Sequence, residues 1–384
     1  MTVSADLVLA ANSASELLEI ASWDGFRPAT LSASEFPVDV VRLEGSPSPP
    51  IVLSRSKRAE SLKALPATLR HRAQSAFERV ARDHGSLTLA RGRSLDLSHG
   101  PAVMGVLNVT PDSFSDGGAY FDTGRAVARA LEMFEQGAAI VDVGGESTRP
   151  SSYGEARELA AEEEIRRVVP VIEGIRRATS LPLSVDTRRA AVAGAAVAAG
   201  ADLVNDVSAL HYDPAMARVV AQAGAGVLLM HMKGNDPRRM QDDVSYAHPI
   251  GDIAALLAQA AGRALESGIA VSAIAVDPGL GFGKSHEGNL LLLRHLAALR
   301  TLGFPVAVGA SRKAFVRRFS GIADDAPPAE RLPGSLASLA ASVEARTAIV
   351  RVHDVADSTR FLRMLAAIRT PSQQVSRPAG VAVR

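Results

Sequence analysis

The chain of 384 residues contains no cysteine. Disulfides, iron–sulfur clusters, thiolate zinc sites and cysteine nucleophiles are therefore excluded. A thiol-free composition is in keeping with the cytoplasm, where disulfides are rare. Aromatic residues make up 4% of the chain, with a single tryptophan. They are not interleaved with basic clusters, so the stacking platform of a single-strand nucleic-acid binder is missing. Lys plus Arg total 42 against 41 for Asp plus Glu, so no chain-wide field draws nucleic acid. Charges and glycines interrupt every apolar run before it reaches membrane-spanning length, and no membrane partner is expected. The N-terminal stretch MTVSADLVLAANSASELLEI has no basic segment before its apolar run, unlike a secretory leader. The nine histidines show neither HExxH nor zinc spacing.

What is present is a succession of eight apolar segments, most carrying a polar residue near the end. Met104–Val109 carries Asn108, Ile140–Gly145 includes Asp142, and Leu181–Asp186 ends at Asp186. Leu203–Val207 carries Asn205 and Asp206, Gly226–His231 ends at His231, and Ala273–Pro278 holds Asp277. Pro305–Ser311 leads into Arg312 and Lys313, and Ile349–Asp354 contains Arg351 and His353. Between them lie Ala-rich stretches of helical period, expected near 122–136, 156–179, 188–199, 214–223, 250–267, 286–302, 335–346 and 357–368. Gly137, Gly200, Gly224, Gly268 and Gly303 each close a helix and precede a β-rich run. This repetition predicts an α/β chain built as a (β/α)₈ TIM barrel.

Three regions follow: 1–85 as a small N-terminal α/β appendage of unknown role, 86–370 as the barrel, and 371–384 as a loose tail. In the appendage, strands are expected near 5–10 and 38–43 and a helix near 14–23. A basic amphipathic helix over 61–82 is expected to break at Pro66 and to present its charges to solvent. Leu87–Leu97 alternates on both sides of Arg91-Gly92-Arg93 and reads as a hairpin placed to cover the bottom of the barrel.

Catalytic groups of such a barrel gather at the C-terminal ends of its strands. The candidates are Asn108, Asp112, Arg149, Asp186, Asn205, Asp277, Lys313, Arg351 and His353. Carboxylates and an amide suit a flat heterocycle rich in N–H groups. Arg149, Lys313, Arg351 and His353 suit phosphate oxygens or a carboxylate. An anion joined to a polar ring is the ligand this set implies. The glycines of Asp277–Lys284 (DPGLGFGK) match neither a P-loop nor a dinucleotide fingerprint, so Lys284 is not assigned to nucleotide phosphates. His231, beside methionines, reads as a packed pocket wall rather than a metal ligand.

From about Leu97 to Ile368 the ordered motifs resemble the dihydropteroate synthase family. They are MGVLNVTPDSFSDGG at Met104–Gly118, DVGGESTRP at Asp142–Pro150, SVDTRR at Ser184–Arg189 and NDVSAL at Asn205–Leu210. LLMHMKG at Leu228–Gly234, DPGLGFGK at Asp277–Lys284, GASRK at Gly309–Lys313 and RVHDV at Arg351–Val355 complete the set. The resemblance implies condensation of 6-hydroxymethyl-7,8-dihydropterin diphosphate with 4-aminobenzoate. It implies a pterin pocket of Asp186, Asn205, Asp277 and Lys313, and diphosphate binding by Asn108, Arg351 and His353. Asn108 would also contact Mg²⁺, and Phe114, Thr148, Arg149, Pro150, Phe282 and Ser311 would form the aminobenzoate site. Catalysis would rest on Asp186, Lys313, Arg351 and His353, with the first two β–α loops as lids. A homodimer through helices of the C-terminal half is also implied. Two alternatives stay open: a pterin-dependent methyltransferase-type barrel, and a non-catalytic pterin-binding assembly protein.

Overall fold

The computed structural model describes residues 3–24, 36–46, 49–110, 123–146, 159–234, 236–237 and 239–370. The barrel strands are β6 (Ala102–Asn108), β7 (Ile140–Gly144), β8 (Leu183–Asp186), β9 (Leu203–Asp206), β10 (Gly226–Met230), β11 (Ile274–Asp277), β12 (Ala307–Val308) and β13 (Ile349–Val352). They form one eight-stranded sheet in the order β11-β10-β9-β8-β7-β6-β13-β12, with every pairing parallel. A parallel bridge between Val276 and Val306 joins the two ends and closes the barrel.

Side chains alternate faces along a strand, and this period decides what the barrel encloses. Met104, Ile140, Leu203, Leu228, Ala275, Ala307 and Ile349 form an apolar layer at the N-terminal end. Two or four residues further on, the same inward rows deliver Asn108, Asp142, Asn205, Asp277 and Arg351, and Asp186 follows inward Ser184 on β8. The intervening Val141, Val143, Val185, Val204, Val227 and Val276 point outward and pack under the helices. Register links Asn108 to Gly144, Gly144 to Asp186, and Asp186 to Asn205, which places them side by side near one mouth.

The helices are α4 (Thr123–Glu135), α5 (Ala161–Ala178), α6 (Ala190–Ala199), α7 (Met216–Ala223), α8 (Pro249–Glu266), α9 (His286–Arg294), α11 (Leu332–Glu344) and α12 (Val355–Arg369). Two departures from the sequence expectation stand out. The helix expected over 286–302 stops at Arg294 and continues as a tighter 3₁₀ stretch, Leu296–Leu302. A short helix, α10 (Ala314–Phe319), follows the Ser311–Lys313 turn.

The hairpin of β4 (Ser86–Thr88) and β5 (Ser94–Asp96) lies where the alternation placed it. Leu87, Leu89, Leu95 and Leu97 pack on the inner apolar layer and cap the barrel bottom. At about 1.5–3 kcal/mol per fully buried aliphatic side chain, these leucines are a substantial part of that end's stability. Arg91 and Arg93 donate to Asp202 Oδ1 at 2.7 and 2.8 Å, while Arg176 donates to Oδ2 at 2.6 Å. A single carboxylate buried at the start of β9 thus ties the hairpin to the barrel.

The N-terminal region consists of β1 (Leu7–Ala11), α1 (Ala14–Asp24), β2 (Val38–Arg42), β3 (Ile51–Ser54), α2 (Arg58–Ala64) and α3 (Ala67–Ala81). The break between α2 and α3 falls at Leu65–Pro66, as the proline requires. The strands form an antiparallel sheet in the order β1-β2-β3. One face of the sheet packs on α2 and α3 through Val8, Val41, Leu53, Leu62, Ala73 and Ala76. The opposite face, with Leu7, Leu9, Val38 and Val40, enters the same buried cluster as Ile250, Leu291, Leu296 and Leu299 of the barrel wall. The basic helix is not simply solvated: Arg72 pairs with buried Asp6, and Arg79 donates to the carbonyl of Thr301.

Candidate active site

Two connected cavities open at the C-terminal ends of the strands. The inner one is lined by Val106, Asp186, Asn205, Met230, Asp277, Phe282, Ser311, Lys313, Arg351 and His353. The outer one, about 870 Å³, adds Asn108, Glu146, Met240, Gln241, Lys284, Asn289, Arg312 and Arg331. The structure therefore brings together Asn108, Asp186, Asn205, Asp277, Phe282, Ser311, Lys313, Arg351 and His353, all marked from sequence. Asp112, Phe114, Thr148, Arg149 and Pro150 lie outside the described residues, as do most of the two loops expected to act as lids.

The centre of the inner cavity is an ion-pair network. Arg351 donates from Nε to Asp142 Oδ2 at 2.7 Å and from Nη2 to Asp186 Oδ2 at 2.8 Å. Asn205 donates to the same Asp142 oxygen at 3.0 Å. Burial pushes Asp186 up to about 7, against the pull of Arg351 and helped by Asp142. Asp142 is fully buried, and its Oδ1 meets no donor among the described residues. Asp142 lines neither cavity and reaches the site through its bonds to Arg351 and Asn205. Asp142 was missed as a site residue from sequence because it sits inside an apolar run. Its inward parity with Ile140 and Gly144 was the available signal.

Asp277, at the end of β11, accepts the N–H of Gly279 at 2.6 Å. Burial raises its pKa, opposed by that hydrogen bond and by Lys313, Lys284 and Arg351. The turn that follows has no room for a side chain at Gly279. A Cβ there would lie 1.9 Å from the His231 carbonyl oxygen, and φ is +65°. Phe282 packs beside Val207, Met230, Met232 and Met240, and Lys313 Nζ stands 4.1 Å above its ring. This is a flat, polarizable wall facing a row of acceptors.

Ser311 and His353 meet across adjacent strand ends. Ser311 Oγ lies 3.1 Å from His353 Nδ1 and accepts the His353 backbone N–H at 3.2 Å. Arg312 adopts a left-handed φ of 59°. Both carboxylate oxygens of Asp354 hold its guanidinium, and Arg331 donates to its carbonyl at 2.8 Å. These contacts fix the turn from which Ser311 and Lys313 project. Asp206, adjacent to Asn205, faces the other way and caps its own turn through Ser208 and Leu210. His231 stands in a packed wall with Lys284, as its methionine-rich surroundings suggested.

Glu146, Glu164 and Arg189 were not singled out from sequence. Arg189 donates to Glu146 at 2.8 Å and to buried Glu164 at 2.6 Å. Glu146 faces the outer cavity, so this pair fixes the last described residue before the second β–α loop.

The family model "Pterin binding enzyme" matches residues 104–353. Dihydropteroate synthase of a Synechocystis strain is 41% identical over 266 residues, covering 69% of this chain and 89% of that protein. Dihydropteroate synthase of Escherichia coli K12 is 41% identical over 278 residues, covering 72% and 95%. Among solved structures, Xanthomonas albilineans dihydropteroate synthase with 4-aminobenzoic acid aligns with a TM-score of 0.68 at 41% identity, covering 75% of this chain and 99% of that one. The same enzyme in complex with 7,8-dihydropteroate aligns with a TM-score of 0.65 at 39% identity, covering 74% and 98%. By the span matched, the level of identity and the strand-end residues it carries, the chain belongs to the dihydropteroate synthase family of pterin-binding enzymes.

Proposed function

We propose that the chain condenses 6-hydroxymethyl-7,8-dihydropterin diphosphate with 4-aminobenzoate, giving 7,8-dihydropteroate and diphosphate. The observation that carries this reading is the inner cavity itself. It gathers Asp186, Asn205 and Asp277 with Lys313 and one arginine, Arg351, which buried Asp142 and Asp186 hold in place. Asp277 and Asn205 accept and donate along the edge of the pterin, and Lys313 donates to its acceptor side. The ring slides between Phe282 and the strand-end polar row.

The C–O bond to diphosphate breaks with its electron pair leaving on oxygen, and the pterin ring supplies density to the exocyclic carbon. Asp186, next to that ring, stabilises the developing positive charge when ionised. With its pKa near 7, the ionised form is present at neutral pH and grows as pH rises. The arylamine nitrogen then bonds to the same carbon and releases a proton, so no enzyme nucleophile is involved. Arg351 and His353 face the departing diphosphate, and Ser311 holds the His353 ring in place.

Among the described residues no three His, Asp or Glu side chains converge as a metal cage. Mg²⁺ commonly needs only one or two protein oxygens beside substrate phosphates, and Asn108 at the cavity wall fits as one such oxygen. Bound there with diphosphate, Mg²⁺ would offset leaving-group charge.

Action in the cytoplasm and assembly as a homodimer belong to the same reading. No described helix is long and apolar enough to cross a membrane. Helix α12 exposes Met364 and Ile368, which supports pairing through the C-terminal half. Incubation with both substrates and Mg²⁺, followed by direct quantification of 7,8-dihydropteroate, tests the reaction. Product is expected; its absence from folded protein that binds the pterin diphosphate would overturn it.

A further inference from the structure

Lys313 is the substrate-facing cation that the turn after β12 has to aim. Its stem passes beside Gly281, where a Cβ would stand 2.8 Å from Lys313 Cδ, and its Nζ lies 4.1 Å from the centre of the Phe282 ring. A slot this narrow leaves the stem little choice of path. The place of the ammonium is therefore set by where the backbone of residues 311–313 lies. That backbone is unfavourable on its own. Arg312, in its middle, has a φ of 59°, a left-handed conformation that is costly for any residue with a Cβ.

Asp354 supplies the hold. It is the N-cap residue of α12, and its backbone carbonyl accepts the Ser358 N–H at 3.0 Å. An aspartate at that position ordinarily also accepts a first-turn N–H through its side chain. Asp354 makes no such cap bond. Both carboxylate oxygens instead take Arg312, from Nε to Oδ2 at 2.9 Å and from Nη2 to Oδ1. A guanidinium and a carboxylate paired in this way fix direction as well as distance. The backbone of Arg312 is gripped from the start of α11. Ser335 Oγ accepts its N–H at 3.0 Å, and Arg331 Nη1 donates to its carbonyl at 2.8 Å. Asp354 lines neither cavity, so what it does for the reaction passes through the turn it holds.

We infer that Asp354 is a positioning residue: by clasping Arg312 in its left-handed conformation, it fixes residues 311–313 and keeps the Lys313 ammonium over Phe282 for the pterin. The inference rests on the pterin contact proposed for Lys313 above. Without the clasp, Arg312 relaxes toward ordinary backbone angles. Residues 311–313 then shift, and Lys313 is no longer delivered along the slot beside Gly281. A glycine at position 312 carries no penalty for the same φ, so the turn persists there without the clasp.

Steady-state kinetics of the full-length protein with 6-hydroxymethyl-7,8-dihydropterin diphosphate, 4-aminobenzoate and Mg²⁺ test this. Asp354→Ala and Arg312→Ala are each expected to lower kcat/KM for the pterin diphosphate about tenfold, the population penalty of a left-handed residue released from its clasp. Arg312→Gly is expected to stay well above Arg312→Ala. In a Lys313→Ala background, Asp354→Ala should cost less than about threefold, because the side chain it positions is gone. Equal losses with and without Lys313, or Arg312→Gly no better than Arg312→Ala, overturn the inference. If Asp354→Ala does not fold, Arg312→Ala in the two backgrounds makes the same comparison. Amide hydrogen exchange without substrates gives a readout independent of the reaction. The N–H groups of Arg312 and Lys313, bonded to Ser335 Oγ and to the Ala310 carbonyl, are expected to exchange faster once the clasp is cut. Unchanged exchange overturns the inference. A wild type that forms no dihydropteroate would instead sink the proposed function, and exchange would still report the clasp.

Discussion

Lys313 stands over the Phe282 ring with its ammonium in the inner cavity, between the acceptor row and the Ser311–His353 contact. Lys313→Ala is expected to lower kcat/KM by at least about tenfold, the equivalent of one lost charged contact. Thermal unfolding should shift little, because the side chain faces a pocket rather than the core. Near-normal turnover in a well-folded variant would contradict the role. Lys313, Asp186, Asp277 and His353 were legible in the sequence because each follows or ends an apolar strand, where a barrel exposes its side chains. Asp142 was not, since nothing local distinguishes a buried strand aspartate from a packing error until the opposing Arg351 is known. That pairing spans 209 positions of sequence and exists only once the sheet has closed. Arg351 was read as an anion site, and the fold adds that two carboxylates hold it in place.

Strands, helix-closing glycines and the bottom hairpin followed from period and turn chemistry, because each is a local signal. Elements set by tertiary packing did not. The wall segment after β11 tightens at His295 into a 3₁₀ stretch that packs against α3 and β1, a contact partner encoded more than two hundred residues earlier. The β4–β5 hairpin gives a test of an element away from the chemistry. Asp202→Asn removes the buried negative charge shared by the partly exposed Arg91, Arg93 and Arg176. Losing charge-assisted hydrogen bonds of this kind costs about 1–3 kcal/mol. A clear fall in melting temperature is expected, with KM for both substrates unchanged because the site lies at the opposite end of the barrel. A variant with wild-type melting would show that the clasp carries no stability.

At the scale of the molecule, the first 85 residues are the small α/β appendage read from the sequence, but it is not detached from the barrel. Its sheet shares a buried cluster with the barrel wall, and Arg294 of α9 bridges to Glu16 and Glu19 of α1. The exposed ion pairs contribute little; the apolar face of Leu7, Leu9, Val38 and Val40 matters more. A chain starting near Asp83 would uncover Leu296 and Leu299, and is expected to melt at lower temperature or aggregate while retaining every strand-end residue. Equal melting of the two proteins would show that the shared core is dispensable. Whether the mouth of this barrel joins the pterin carbon to the arylamine by releasing diphosphate is decided by an isotope. The full-length protein is supplied with Mg²⁺, 4-aminobenzoate and the pterin diphosphate carrying ¹⁸O at the bridging oxygen. One diphosphate is expected for each 7,8-dihydropteroate formed, with the label in the diphosphate. Label retained in hydroxymethylpterin, or tight pterin binding with no dihydropteroate, would contradict it.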